Sequence, residues 1–140
     1  MKSFYLAIKG VIKHNDKVLL IKRTKDDADG NFWEFPGGRI NDSESFSETL
    51  QRELREEVGI VDLEILKLLH MYQLPVDVEN SHGLFFLYFK VNTSSHEIVL
   101  SKEHSEYRWV TKDESIDLPM NDGTKQALSI AFREEVIPNK

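Results

Sequence analysis

Apolar positions along the chain fall into two periodicities, and the switch between them marks the elements. Residues 1–13 and 17–23 are β-rich runs separated by Asn15-Asp16, a pattern that predicts a hairpin. Lys9 interrupts the first run and no small-residue cleavage site follows it, so it reads as a strand and not as a signal peptide. Residues 24–32 are polar and contain Asp29-Gly30, which predicts a loop. Residues 33–40 form a short extended piece that includes Gly37-Gly38. Phe35 precedes a proline there, which biases it toward extended geometry.

The period then changes. Ser45-Phe46-Ser47-Glu48 is a capping box, and Leu50, Leu54 and Val58 recur every fourth residue as a core stripe. Gly59 stands where a helix-terminating glycine belongs. The predicted helix is residues 46–58. Strands are expected at 61–74, with an irregular alternation that suggests a bulge, and at 82–91, with a turn-rich link over 75–83. A short strand is expected at 107–110. A last helix over 123–137 carries Leu128, Ala131, Phe132 and Val136 and is closed by Pro138. This irregular interleaving predicts an α/β fold, a mixed sheet with helices packed on it.

The 140 residues suit one domain, residues 1–140, with a core large enough to need no staples. There is no cysteine, which removes disulfides, thiolate metal sites and cysteine nucleophiles and suits a cytoplasmic protein. The longest apolar run, residues 84–89, is far short of the roughly 20 residues of a membrane span. A net charge of −6 argues against a nucleic-acid polymer as partner. It would also repel a polyanionic small molecule unless a cation mediates.

Candidate chemistry lies on the first helix. Glu53, Glu56 and Glu57 share one face, an arc of about 100° beside the core stripe. They repel one another and sit at the negative end of the helix dipole. Arg52 can pair with Glu56 one turn on, but one arginine does not balance three glutamates. The face is either a solvated acidic surface or a site for a hard divalent cation with oxygen ligands.

The wider spacing decides between them. From Gly38 the chain runs five residues to Glu44, seven more, and then Arg52-Glu53-Leu54-Arg55-Glu56-Glu57-Val58-Gly59-Ile60. This resembles the Nudix box, with every defining position present. A chance match is on the order of 10⁻⁹ per window at ordinary residue frequencies. The preceding 33–38 segment and Glu103 to Val110 resemble the family's flanking strand, acidic loop and later strand. The resemblance implies an α/β/α sandwich around a mixed sheet and a Mg²⁺-dependent pyrophosphohydrolase, with Mn²⁺ able to substitute. It implies metal binding by Glu53, Glu56, Glu57 and the Gly37 carbonyl, with Arg52 in the same catalytic group. The general base is Glu53 or Glu103, and Glu103 is also a candidate metal ligand.

Substrate choice lies outside the box. Arg23, Glu34, Phe35 and Asn121 resemble the substrate contacts of the MutT branch, which cleaves (oxidised) purine nucleoside triphosphates to a monophosphate and pyrophosphate. The short chain, without an added N-terminal domain, agrees. Pro75, 15 residues past the box, instead resembles ADP-ribose pyrophosphatases. A nucleotide-binding regulator without catalysis is the alternative of another class, although such domains commonly have broken boxes. Many relatives form homodimers, and no interface signature stands out here.

Overall fold

The computed structural model describes residues 3–24, 30–77 and 82–134. Its strands are β1 (Ser3–His14), β2 (Lys17–Arg23), β3 (Trp33–Glu34), β4 (Gly37–Arg39), β5 (Leu63–Asp77), β6 (His82–Thr93) and β7 (His104–Val110). The helices are α1 (Phe46–Val58), α2 (Lys112–Ser115) and α3 (Asp122–Arg133). The sheet runs in the order β3-β2-β1-β6-β5, with β4 added to β1 and β7 to β2. Among the described residues only β1 and β6 pair in parallel, so the sheet is mixed.

Alternation along the strands loads both faces. On β2, Leu19 and Ile21 face one core with Ile8, Ile12, Leu50, Leu54 and Val58. Val18 and Leu20 face the other, with Trp33, Phe35, Tyr88, Ala127, Leu128 and Ala131. α1 therefore covers one face and α3 the other, giving the expected α/β/α sandwich. No described helix is long and apolar enough to cross a membrane.

α1 has the predicted bounds because both of its ends are chemically closed. Ser45 Oγ accepts from Glu48 N at 3.2 Å, and Glu48 Oε1 accepts from Ser45 N at 3.0 Å. At the other end Gly59 N and Ile60 N donate to the Arg55 and Leu54 carbonyls, both at 3.2 Å.

Elsewhere the elements differ from expectation. The 33–40 segment is two strands, because β3 pairs with β2 whereas β4 turns away to pair with β1. β5 runs through Pro75 to Asp77, where a loop was expected. It is an edge strand, where a missing backbone N–H need not break a ladder. Its register shifts three times, which accounts for the irregular alternation. β7 begins at His104, three residues before the expected Tyr107. The unanticipated α2 follows a Thr111/Glu114 capping box. α3 ends at Arg133 with a non-helical Glu134 at its C-cap, short of the expected end at residue 137, and residues 135–138, like residues 78–81 of the 75–83 link, lie outside the described residues.

Candidate active site

The site forms where the last two turns of α1 meet β4. β1 holds β4 in register, with Lys9 opposite Gly37 and Ile8 opposite Gly38. Gly37 has φ +143°, and a Cβ there would lie 2.0 Å from the Ile8 carbonyl oxygen. Only glycine fits such a turn. Its N–H donates to Glu57 Oε1 at 2.7 Å. At Gly38 a Cβ would lie 2.5 Å from the Glu53 carboxyl, so the missing side chain is the space Glu53 occupies.

Glu57 is nearly buried, at 9% exposure. Burial pushes its carboxyl up to about 7 against the opposing pull of Lys9, the Gly37 N–H and His104. Glu53 is held by Arg52 Nη1 at 2.8 Å. The same guanidinium grips Glu44 at 2.6 and 3.0 Å, and Glu44 also accepts from Thr49 Oγ1 at 3.0 Å. The expected pair of Arg52 with Glu56 exists at 3.5 Å but is the longest of these contacts. Arg52 acts mainly as a brace from Glu44 to Glu53.

Glu53 and Glu57 line a cavity of about 530 Å³, whereas Glu56 is half-exposed and does not. Among the described residues no three acidic or imidazole side chains converge into a ready metal cage. The donors present nevertheless fit a hard divalent cation. They are two carboxylates and the Gly37 carbonyl, all oxygen, set in a glycine-lined cradle with one carboxyl buried.

The rest of the lining is largely cationic and aromatic, with Lys9, Arg23, Arg39, Phe32, Trp33 and Phe86. Glu103 and Asn121 also reach it. Glu103 is anchored through its backbone, its carbonyl accepting from Thr24 N at 3.1 Å. Glu34 lines the cavity but is fully engaged. It meets Lys9 at 3.4 Å, Arg23 at 3.1 Å and His104 Nε2 at 3.0 Å. Burial raises its pKa, but Lys9, the His104 hydrogen bond and Arg23 together outweigh that and hold it at about 2.

Two expected substrate contacts are placed differently. Phe35 is fully buried and packs edge-to-face on Tyr88 at 5.6 Å, so it belongs to the core and not to the cavity wall. On a half-buried extended segment its neighbour Glu34 takes the cavity side. Asn121 caps α3, its Oδ1 accepting from Thr124 N at 2.8 Å, and the residue also lines the cavity.

Lys9, His104 and Arg39 were missed. Lys9 carried a signal, a lone charge inside an apolar strand. His104 and Arg39 carried none, because their partners are distant in sequence.

The family model for the NUDIX domain matches residues 6–130. The chain is 32% identical over 114 residues to an 8-oxo-dGTP diphosphatase of Buchnera aphidicola subsp. Schizaphis graminum, covering 81% of this chain and 82% of that protein. It is 27% identical over 114 residues to a CTP pyrophosphohydrolase of Escherichia coli (strain K12), covering 81% of each. In fold it matches a MutT protein from Methanosarcina mazei Go1 with a TM-score of 0.80, at 22% identity over 95% of this chain and 96% of that one. A complete glutamate box on a glycine-braced helix, inside a family match that spans most of the sequence, makes this chain a member of the NUDIX domain family.

Proposed function

We propose that this Nudix nucleotide pyrophosphatase acts on purine nucleoside triphosphates and releases a nucleoside monophosphate and pyrophosphate. The observation that carries the reading is the cavity itself. Its lining combines oxygen donors for a divalent cation with cations and aromatic rings, which suit phosphates and a base. The two curated relatives described above are named for triphosphate substrates, which supports a triphosphate over ADP-ribose.

In this reading Gly37, Glu53 and Glu57 hold Mg²⁺, or Mn²⁺ in its place, with Glu56 and Glu103 as outer candidates. The cation supplies charge neutralisation at the phosphates and an activated water. Arg52 keeps Glu53 oriented. Glu53 or Glu103 takes the proton from the water, since both reach the cavity. The Asn121 amide reads the base edge, and the exposed Phe32 supplies the aromatic contact in place of the buried Phe35. Absence of cysteine suits a cytoplasmic setting.

The test is kcat/KM for dGTP, 8-oxo-dGTP, CTP and ADP-ribose on one preparation, with Mg²⁺ and with excess EDTA, products being separated by chromatography. A purine triphosphate should lead, yielding monophosphate and pyrophosphate, with no turnover in EDTA. An ADP-ribose value tenfold higher, about 1.4 kcal/mol in transition-state binding, overturns the substrate. Full activity in EDTA overturns the metal chemistry as well.

A further inference from the structure

Lys9 is an ammonium in a place that ordinarily excludes one. It lies in the middle of β1 between Ile8 and Gly10, and its side chain is only 7% exposed. A buried charge persists where other groups compensate its desolvation. The compensation visible here is incomplete. Lys9 Nζ meets Glu34 Oε1 and the Gly37 carbonyl, each at 3.4 Å. Charge-assisted contacts of this kind close to about 2.7–2.9 Å when they are satisfied. An ammonium also has three donors, and these two oxygens engage two of them.

Glu34 is a shared partner and accounts for the lysine only in part. That carboxylate already holds Arg23 at 3.1 Å and His104 at 3.0 Å, both closer than Lys9. The strand register puts Lys9 opposite Gly37, and its side chain lines the same cavity as Glu53 and Glu57. A loosely held cation therefore stands in the same cavity as the two glutamates.

We propose that Lys9 is a substrate-binding residue whose ammonium takes an oxygen of the phosphoanhydride chain. The ligand class is a pyrophosphate group, whatever nucleoside carries it. The inference rests on the proposed function only in taking the substrate to be a phosphoanhydride.

The test is calorimetric binding of inorganic pyrophosphate at fixed Mg²⁺, which needs no turnover. Wild type is compared with Lys9→Met, Lys9→Arg, Glu34→Gln and the Lys9→Met/Glu34→Gln double variant, with folding followed by thermal unfolding. Lys9→Met should weaken binding at least tenfold, and Lys9→Arg should stay within threefold of wild type. The double variant should bind as weakly as Lys9→Met, because removing Glu34 does not replace the lost cation. Should Lys9→Met fail to fold with Glu34 short of a partner, the double variant removes both charges together and is read against Glu34→Gln alone. Unchanged binding in Lys9→Met, recovery in the double variant, or no pyrophosphate binding by wild type overturns the role. Recovery would make Lys9 a counter-ion of Glu34 and nothing more. A protein that binds pyrophosphate through Lys9 yet hydrolyses no triphosphate would sink the substrate reading and leave this one standing.

Discussion

Glu57 is pulled in opposite directions by its surroundings. Burial raises its pKa to about 7, while the Gly37 N–H at 2.7 Å and the nearby Lys9 favour the charged form. The unfavourable term wins, so the metal-free protein carries a destabilising carboxylate at neutral pH. Glu57→Gln keeps the shape and the acceptor for Gly37 while removing the charge. In EDTA at neutral pH it should be more stable by on the order of 1–3 kcal/mol, read as a higher thermal midpoint. With Mg²⁺ its turnover should fall by about two orders of magnitude or more, the loss expected when a group acting on a developing charge is removed. Thermal scans and steady-state kinetics on the same stocks check both halves. Wild-type turnover would remove Glu57 from the metal chemistry. Glu103→Gln assayed alongside tests the second candidate base, since an unchanged rate returns that role to Glu53, whose own substitution loses rate as a metal ligand in either case. At this scale the three glutamates were legible because a helix converts spacing directly into a shared face. Which of them turn inward was not legible. That depends on the absent side chain of Gly38 and on the Arg52 brace to Glu44, neither of which periodicity reports.

Elements were readable where local chemistry closes them. The ends of α1 are written in Ser45, Glu48 and Gly59, and the helix has the predicted bounds. The 33–40 segment reads as a single extended piece because its break is a tertiary matter, with β3 bound to β2 and β4 to β1. β5 outran its expected end because an edge position forgives Pro75. These two kinds of information predict different mutational outcomes. Ser45→Ala removes one cap acceptor and should cost about 1 kcal/mol of stability with turnover unchanged. Gly37→Ala places a Cβ 2.0 Å from the Ile8 carbonyl oxygen at φ +143°. It should cost about 3 kcal/mol or more and also abolish activity, because the turn carries the Glu57 contact. Urea unfolding and a turnover assay on the two variants check the contrast. A Gly37→Ala protein as stable as wild type would contradict the steric argument.

Across the whole molecule, Glu34 joins strands that are remote in sequence. From β3 it binds Lys9 on β1, Arg23 on β2 and His104 on β7. His104 Nδ1 lies 3.3 Å from Ser101 Oγ, and Ser101 N donates to the Glu57 carbonyl at 3.0 Å, which ties the segment bearing Glu103 to the end of α1. None of this could be read from the chain, because no spacing rule connects residues 9, 23, 34 and 104. Its consequence for stability has a definite sign. The carboxyl has an ordinary value near 4.5 and is held at about 2 in the fold. The unfolded chain therefore binds its proton more readily, and the folded state gains stability as pH rises through that interval. The contribution is complete above about 4.5, amounts to about 3 kcal/mol, and is lost as pH falls from there toward 2. Glu34→Gln should remove it and leave Lys9 with a poorer partner, so the variant should be less stable at pH 7 by about 3 kcal/mol. Its stability should also fall less steeply than that of wild type between pH 4.5 and 2. Urea midpoints measured at half-unit pH steps on both proteins give the difference curve. Parallel curves through the acid range would mean that the carboxylate has the same proton affinity folded and unfolded, and that the network does not bind the four strands together.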